Sequence, residues 1–313
     1  MVWYSAGMAY NAMEQYDRAA DAFEKAIELK YDMIESHIGL SQVLVKAGHL
    51  ERAAAVLERV TKSIGRDNPT VHLNLASIYI QMGEGRKATR HINQALRCDP
   101  NNAMAHVMRG RLLADAENFA EAEEAYTKAI ELDSTIPDAH LGLAYVFYRF
   151  EHYEKAAQAC EQAIELAPNS APAYNNLGVA LDYLERHNEA IQAYERAIEL
   201  DPNLAVAHSN LGLTLLTFER YDEAVQACKR TIELEPNFAP AYGNLGLAFL
   251  NLERYDEAVQ AYERVIGLNP NFAGTYNKLG SALGSLERYD EAVQAFGRAI
   301  ELDPNFAAAY SNL

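Results

Sequence analysis

The stretch EPNFAPAYGNLGLAFLNLERYDEAVQAYERVIGLNPNF at residues 235–272 aligns without a gap with NPNFAGTYNKLGSALGSLERYDEAVQAFGRAIELDPNF at residues 269–306. The offset is 34 residues, and the same register can be followed towards both ends of the chain. It gives nine repeats and a stub: 1–33, 34–68, 69–102, 103–136, 137–170, 171–204, 205–238, 239–272, 273–306 and 307–313. Self-similarity at such a period predicts a repeat protein, whose neighbouring units stack to bury a common core.

Each repeat carries the apolar spacing of two amphipathic helices. In the sixth repeat, Tyr174, Leu177 and Leu181 recur every three to four residues, which predicts the first helix. Ala190 and Tyr194 mark the second helix. The first helix also carries a small residue, and the second carries an alanine in every repeat, so we expect these facing positions to set the distance between the helices. The alanines are Ala19, Ala53, Ala88, Ala122, Ala156, Ala190, Ala224, Ala258 and Ala292.

This unit resembles the tetratricopeptide repeat, whose consensus is W-x2-L-G-x2-Y…A…F…A…P. The first repeat matches it with Trp3, Gly7, Tyr10, Ala19, Phe23 and Ala26. The sixth repeat matches it with Tyr174, Leu177, Gly178, Leu181, Ala190, Tyr194, Ala197 and Pro202. The resemblance covers essentially the whole chain. It implies one all-α domain, residues 1–313, built as a right-handed superhelical solenoid whose first helices line the concave wall where partners bind.

Composition narrows the classes of partner. The chain has 27 Lys and Arg against 44 Asp and Glu, a formal net charge of −17. This acidic balance argues against nucleic acid or an anionic membrane surface as the main partner. No apolar run approaches the length of a membrane span, so no membrane insertion is expected. Cysteines at 98, 160 and 228 fit neither a disulfide framework nor a metal motif, and predict reduced thiols and a cytoplasmic location.

The residues that could take part in catalysis or metal binding are better explained by structural roles in the repeat. Five histidines occupy the slot where the first repeat has Trp3, and neighbouring repeats lie too far apart for these rings to share one metal ion. Cys160 and Cys228 take the position of Tyr194 and are interpreted as buried packing thiols. Acidic pairs such as Asp222 and Glu223 recur at the start of the second helix, where their negative charge interacts favourably with the positive end of the helix dipole. We therefore predict no catalytic residue, no metal site and no cofactor. The five histidines are His37, His72, His106, His140 and His208.

One inner-wall position suggests a binding function. Two residues after the aromatic slot, the later repeats carry Asn176, Asn210 and Asn244, then Lys278; Asn74 stands there in the third repeat. An amide offers a donor and an acceptor, so it can pair with the backbone of an extended peptide. A strand rises about 3.3 Å per residue and repeats advance roughly 8–10 Å, so one asparagine would meet about every third peptide residue. The alternative is a solvated polar residue, or a consensus carried along by duplication, and the sequence leaves both open.

The rest of the predicted groove, formed by repeats five to nine, is largely neutral. Its expected apolar lining is Val179, Val206, Leu213, Leu216, Leu247 and Leu250. The expected flanking residues are Tyr145, Tyr148, Arg149 and Tyr183, with Asp138 and Asp182 as the acids on the wall. Such a groove inside an acidic shell suits a protein or extended peptide as partner.

Two resemblances to tetratricopeptide subfamilies bear on the partner. Segments 205–211 and 306–313 are similar to repeats of O-GlcNAc transferases, which implies an asparagine ladder that grips substrate backbone. Those enzymes often have an aspartate four residues before the asparagine, where this chain has Pro172, Val206, Pro240 and Gly274. The carboxylate clamp of chaperone-binding domains needs Lys and Asn at inner-wall positions that are here mostly Leu, Val and Tyr, so it is not expected.

Two functions follow from these features. The first is a non-catalytic scaffold that binds a partner protein or an extended peptide in its concave groove. The alternative is the substrate-recognition arm of a larger enzyme, a glycosyltransferase or a protease, whose catalytic domain is absent from this chain. Leu313 falls inside the first helix of a tenth repeat, over the apolar edge formed by Leu283, Phe296 and Ile300. We therefore also expect the chain to be part of a longer array, whose open C-terminal end docks onto another copy or onto further sequence.

Overall fold

A computed structural model describes residues 2–30 and 33–313. Throughout these two ranges the regular secondary structure is α-helical, and the helices are joined by short turns and loops. They form two compact units, residues 1–149 and residues 150–313. The predicted all-α architecture of helix hairpins is confirmed, whereas one continuous domain over 1–313 stays a prediction.

The helices follow the predicted register, two to each repeat. The first unit contains α1 Val2–Ala12, α2 Tyr16–Leu29, α3 Ile34–Lys46, α4 Leu50–Thr61, α5 Pro69–Gln81, α6 Gly85–Cys98, α7 Ala103–Asp115, α8 Phe119–Leu132 and α9 Pro137–Arg149. The second contains α10 Tyr153–Leu166, α11 Ala171–Tyr183, α12 His187–Leu200, α13 Ala205–Thr217, α14 Tyr221–Leu234, α15 Ala239–Asn251, α16 Tyr255–Leu268, α17 Ala273–Ser285, α18 Tyr289–Leu302 and the stub α19 Ala307–Asn312.

Within each unit, the two helices of a repeat pack against each other and the second helix also packs against the first helix of the next repeat. In the second unit, α12 thus lies between α11 and α13, and α14 between α13 and α15. First helices also contact each other directly, α11 with α13 and α13 with α15. The first helices of the second unit therefore form one wall, and we call it the inner wall.

In five of the nine repeats, the close contact inside the hairpin is between a glycine of the first helix and an aromatic ring of the second. A Cβ added to Gly178 would lie 2.5 Å from Cε1 of Tyr194, and one added to Gly246 would lie 2.7 Å from Cε1 of Tyr262. The sequence predicts that this small residue and the alanine of the second helix set the distance between the helices. The atoms nearest to the added Cβ belong to the ring four residues after that alanine, a contact that the sequence did not reveal. The alanines are buried nevertheless, in all nine repeats.

The turn inside each hairpin contains a residue in the left-handed conformation. Gly48 and Gly83 hold this position in the second and third repeats, with φ of +79° and +74°. The other repeats place glutamate there with φ of 58–59°: Glu14, Glu117, Glu151, Glu185, Glu219, Glu253 and Glu287. A side chain in this conformation costs roughly 1–2 kcal/mol, so the packing of the two helices must hold the turn in place.

The two glycines of α15 provide a test of the ring contact. Gly246→Ala places a methyl group against Tyr262, and such overpacking costs about 1–3 kcal/mol, which exceeds the gain of about 1 kcal/mol from the better helix former. We expect this variant to lose about 1 kcal/mol of unfolding free energy in urea titration. Gly243→Ala is the matched control, since a Cβ there meets nothing within 4 Å. It should gain up to about 1 kcal/mol, and a gain of equal size at Gly246 would contradict the proposed packing.

Candidate functional site

The slot that holds histidine or tyrosine in the first helix ties down the loop between repeats. In six repeats a ring nitrogen or hydroxyl donates to the carbonyl oxygen six residues earlier. The pairs are His72 with Arg66 at 2.8 Å, His106 with Pro100 at 3.0 Å, His140 with Ser134 at 3.0 Å, His208 with Pro202 at 3.1 Å, Tyr242 with Pro236 at 3.0 Å and Tyr276 with Pro270 at 3.2 Å. The interpretation of these histidines as packing residues is confirmed. Over residues 2–30 and 33–313, no group of three His, Cys, Asp or Glu side chains is placed to hold a metal ion.

Two of the three cysteines are packed in the core. Cys160 and Cys228 are each 1% exposed, in the second-helix position that holds Tyr194 and Tyr262 elsewhere. Burial raises the pKa of both thiols to about 12. The prediction that they are packing thiols is confirmed. Cys98, at the end of α6, is only half-buried.

The difference in burial predicts the reactivity of the thiols. We expect a thiol-specific reagent at pH 8 to modify Cys98 quickly in the native protein, because only Cys98 is open to solvent. Cys160 and Cys228 should react only after unfolding, since the thiolate is the reactive form and burial disfavours it. Mass spectrometry of the labelled chain checks this, and rapid native labelling of Cys228 would show that its packing is looser than in the structure.

The asparagine ladder lies on the inner wall of the second unit. Asn176, Asn210 and Asn244 sit half-buried on α11, α13 and α15. The sequence reasoning missed Asn175, which is 7% exposed and joins two rungs. Its Nδ2 donates to Oδ1 of Asn176 at 3.3 Å, and its Oδ1 accepts from Nδ2 of Asn210 at 3.0 Å. Asn175 therefore orients the amides of the first two rungs.

The same bridge recurs at the end of the chain. Nδ2 of Asn312 donates to Oδ1 of Asn277 at 3.0 Å, across one repeat. Between these two places the bridging position is Ser209 or Gly243, and the third rung, Asn244, makes no side-chain hydrogen bond among the described residues. Lys278 is exposed on α17. The sequence feature that could have revealed the bridge is the pair of adjacent amides, Asn175 and Asn176. Asn175 is the one that bonds to the neighbouring repeat.

The apolar residues predicted for this wall divide into three groups. Leu213 is 55% exposed and Val206 is 48% exposed, both on α13. Val179, Leu247 and Leu250 are half-buried and pack against the core of the second unit. Leu216 is buried and belongs to that core. The wall therefore offers apolar contact mainly along α13, beside Asn210, and at Tyr183 on α11, which is half-exposed and stacks on Tyr153 at 4.6 Å between ring centroids.

Asp182 at the end of α11 is the centre of a hydrogen-bond network. It accepts from the hydroxyl of Tyr194 at 2.9 Å, from Oγ1 of Thr214 at 2.5 Å and from Nδ1 of His187 at 3.1 Å. Aspartate, histidine and a hydroxyl thus come together, but the carboxylate lies between the other two groups. A nucleophile needs its base within hydrogen-bond reach, and here Thr214 bonds to Asp182 and to the carbonyl of Asn210. The cluster is a link between α11, α12 and α13.

Two equivalent tyrosines test the value of this network. Tyr194 donates to Asp182, whereas the hydroxyl of Tyr262 is buried with no partner. Tyr194→Phe should lower the free energy of unfolding by about 1–2 kcal/mol, and Tyr262→Phe should raise it by about 1 kcal/mol, since an unsatisfied buried hydroxyl is costly. Urea titration of the two variants measures both changes. Equal losses would show that Tyr262 has a bound partner in solution.

In the first unit, two predicted site residues share a cleft on the first-helix side. Asn74 on α5 and Tyr145 on α9 line a cleft of about 700 Å³, together with side chains of α7. Asn74 uses its amide locally: its Nδ2 donates to the carbonyl of Thr70, and its Oδ1 accepts from Gln42 at 3.3 Å. Asp138 also lines this cleft.

The other predicted residues of α9 have separate contacts. Arg149 donates to the hydroxyl of Tyr145 at 2.9 Å and lies 4.3 Å from the ring centroid of Phe119. Tyr148 is half-buried on the same helix. Tyr145 and Arg149 thus come together at the end of α9, on the first unit.

Family models assign the repeats. Models described as Tetratricopeptide repeat match residues 10–67, 73–137, 107–171 and, one after another, 171–204, 205–238, 239–272 and 273–306. The chain belongs to the tetratricopeptide repeat family. The last four boundaries coincide with the repeats read from the sequence, and membership in this family supports a protein-interaction role for the chain.

Among solved structures, one similar to this chain is YrrB, described as a TPR protein with an unusual peptide-binding site. It is 25% identical, with a TM-score of 0.55, over 60% of this chain and 97% of that chain. YrrB thus shares both the fold and recognisable sequence with this tetratricopeptide protein.

Curated relatives match over shorter stretches. The BBSome complex member BBS4 of Bos taurus is 25% identical over 40% of this chain. The protein O-mannosyl-transferase TMTC3 of Mus musculus is 26% identical over 47%. The matched stretch spans only 24% of the first relative and 17% of the second.

Along the described ranges, none of the tetratricopeptide helices has the length and apolar character needed to cross a bilayer.

Proposed function

We propose that this chain is a non-catalytic scaffold that binds an extended peptide along the inner wall of the second unit. The observation that carries the proposal is the orientation of the asparagine rungs. Asn175 occupies one lone pair of Oδ1 of Asn176 and one N–H of Asn210, which leaves both N–H groups of Asn176 and, on Asn210, one N–H group and Oδ1. The two rungs together therefore keep donors and acceptors for the alternating N–H and C=O groups of a peptide backbone.

The surroundings of the rungs support the same ligand. Exposed Leu213 and Val206 lie on the helix that carries Asn210, so an apolar peptide side chain can be buried beside a backbone hydrogen bond. The only acid placed on this part of the wall, Asp182, is already bonded to three side chains. The relationship to YrrB, whose description names a peptide-binding site, supports a peptide as the ligand. The cytoplasmic location and self-association at the C-terminal edge stay predictions.

The alternative function, a recognition arm of a larger enzyme, is favoured by the match to TMTC3. That enzyme is an O-mannosyl-transferase, and the matched stretch is a small part of it. The coding sequence downstream of Leu313 decides between the two functions. An open reading frame that continues into a catalytic domain would favour the arm.

The ladder is tested by changing Asn176, Asn210 and Asn244 together to alanine. The probe is a peptide selected from a random phage-displayed library against the full chain. Each lost hydrogen bond is worth about 0.5–1.5 kcal/mol, so we expect affinity to fall about a hundredfold. Calorimetric titration of the wild type and the triple variant measures the loss.

Three other asparagines supply the control. Asn237, Asn271 and Asn305 recur with the same spacing of 34 residues, but lie exposed in the loops between repeats. Their triple alanine variant should bind the selected peptide with unchanged affinity. If the ladder variant also binds like the wild type, the ladder is solvated surface and the proposal is wrong.

A further inference from the structure

The third repeat and the loop before it reverse the charge of the chain. Residues 59–97 hold seven Lys and Arg against two Asp and Glu, whereas the whole chain holds 27 against 44. The second unit, residues 150–313, holds 11 against 24. Helix α6, with the sequence GRKATRHINQALRC, contributes Arg86, Lys87, Arg90 and Arg97 and no acid. A local excess of positive charge in a strongly acidic protein is therefore confined to one place.

The fold gathers these side chains around one cleft. Lys62 and Arg66 reach it from the residues that follow α4, and Arg86, Arg90 and Arg97 reach it from α6. The cleft has a volume of about 900 Å³. Two carboxylates, Glu58 and Asp67, also line it. It lies on the second-helix side of the first unit, and we call it the basic cleft.

The five cations of the basic cleft are unpaired. Among the described residues, none of them makes an ion pair or a side-chain hydrogen bond. In the second unit, by contrast, every arginine except Arg264 bonds to the glutamate three residues later. These pairs are Arg186–Glu189, Arg196–Glu199, Arg220–Glu223, Arg230–Glu233, Arg254–Glu257, Arg288–Glu291 and Arg298–Glu301. Like charges held together without partners repel each other, so an anion that bound among them would relieve that repulsion.

The inner side of the basic cleft is an ordered network. His72 is 5% exposed, and its Nε2 donates to the carbonyl of Arg66 at 2.8 Å. Its Nδ1, 3.0 Å from Nδ1 of His91, must then accept from that ring. Burial lowers the pKa of His91 to about 4, and the neighbouring His72 and Arg90 lower it further, so the His91 ring is neutral at pH 7. The hydroxyl of Tyr79 donates to Glu58, and the ring of Tyr79 stacks on His91 at 5.7 Å.

This network leaves positive charge at the mouth of the cleft. Glu58 and Asp67 are the two carboxylates that could pair with the arginines. One oxygen of Glu58 already accepts the hydrogen bond from Tyr79, so Glu58 is less available for such a pair. The bond from His72 fixes the carbonyl of Arg66, and with it the loop that carries Arg66 itself. The backbone that carries Arg66 is thus held in place by a buried side chain.

We propose that the basic cleft binds a short acidic segment of a partner protein, rich in carboxylates or bearing phosphate groups. Four of its five cations are arginines, whose planar guanidinium groups pair bidentately with carboxylate and phosphate. The volume lies in the range of a ligand site. A single-stranded nucleic acid fits less well, because its bases stack on exposed aromatic side chains. The ring of Tyr79 is buried, at 2% exposure.

The site is independent of the inner wall of the second unit. It uses second helices of the first unit, so loss of binding at one site does not imply loss at the other. The probes are fluorescein-labelled peptides added to the full chain at physiological ionic strength: octaglutamate, a neutral peptide with two phosphoserines, and octaglutamine. A short single-stranded oligonucleotide is the fourth probe. Fluorescence anisotropy gives each affinity.

The decisive variant is Arg86→Gln with Arg90→Gln. Both side chains are exposed and unpaired, so the melting temperature should not fall. We expect octaglutamate, the phosphoserine peptide or both to bind the wild type, and affinity to drop about tenfold in the variant. Which of the two binds more tightly identifies the source of the negative charge. Octaglutamine should not bind.

The matched control is Arg230→Gln with Arg298→Gln, which removes the same charge from paired arginines of the second unit. Its affinity for the acidic probes should equal that of the wild type. The proposal is overturned if neither acidic peptide binds, or if the control loses as much affinity as the cleft variant. It is also overturned if the oligonucleotide binds more tightly than both peptides.

Discussion

The contact of an aromatic ring with a glycine is the constraint on which five of the nine hairpins depend. Where Gly178 or Gly246 lacks a side chain, the ring of Tyr194 or Tyr262 lies directly on the backbone of the first helix. Because the ring is large and the glycine has no Cβ, there is one separation at which the two helices fit. The same fit recurs in the first, fourth, sixth, eighth and ninth repeats, so in each of them one pair of residues limits how closely the two helices pack.

The periodic parts of this structure could be predicted from sequence because they depend on local spacing. Helix boundaries, buried alanines and packing cysteines all follow from an apolar pattern that repeats every 34 residues. What could not be predicted depends on contacts between repeats. Asn175 looked like one more polar residue beside Asn176, and only the position of α13 against α11 shows that it bridges to Asn210. The left-handed glutamates were likewise hidden, since glutamate gives no sign of such a turn.

The net charge of the chain gives no sign of the basic cleft. A balance of −17 suggests an evenly acidic surface, yet most arginines of the second unit are paired with a glutamate one helical turn away, whereas the cations around α6 are not paired. Whether a charged side chain has an ion-pair partner depends on the spacing of charges within a helix. This pairing affects the local electrostatic potential more than the overall composition does. The two proposed sites differ accordingly: the inner wall offers amide groups and apolar side chains, and the basic cleft offers positive charge.

The slot that binds the loop between repeats has a consequence for anyone who copies a repeat of this chain into a designed array. Trp3, the histidines and the tyrosines that fill the slot differ in size and hydropathy, but all carry an N–H or O–H group. Phenylalanine would fill the same volume and leave the carbonyl of Pro202 or Pro236 without its donor. A consensus chosen by hydrophobicity alone would thus lose the link between one hairpin and the next, whereas a consensus chosen by donor chemistry would keep it.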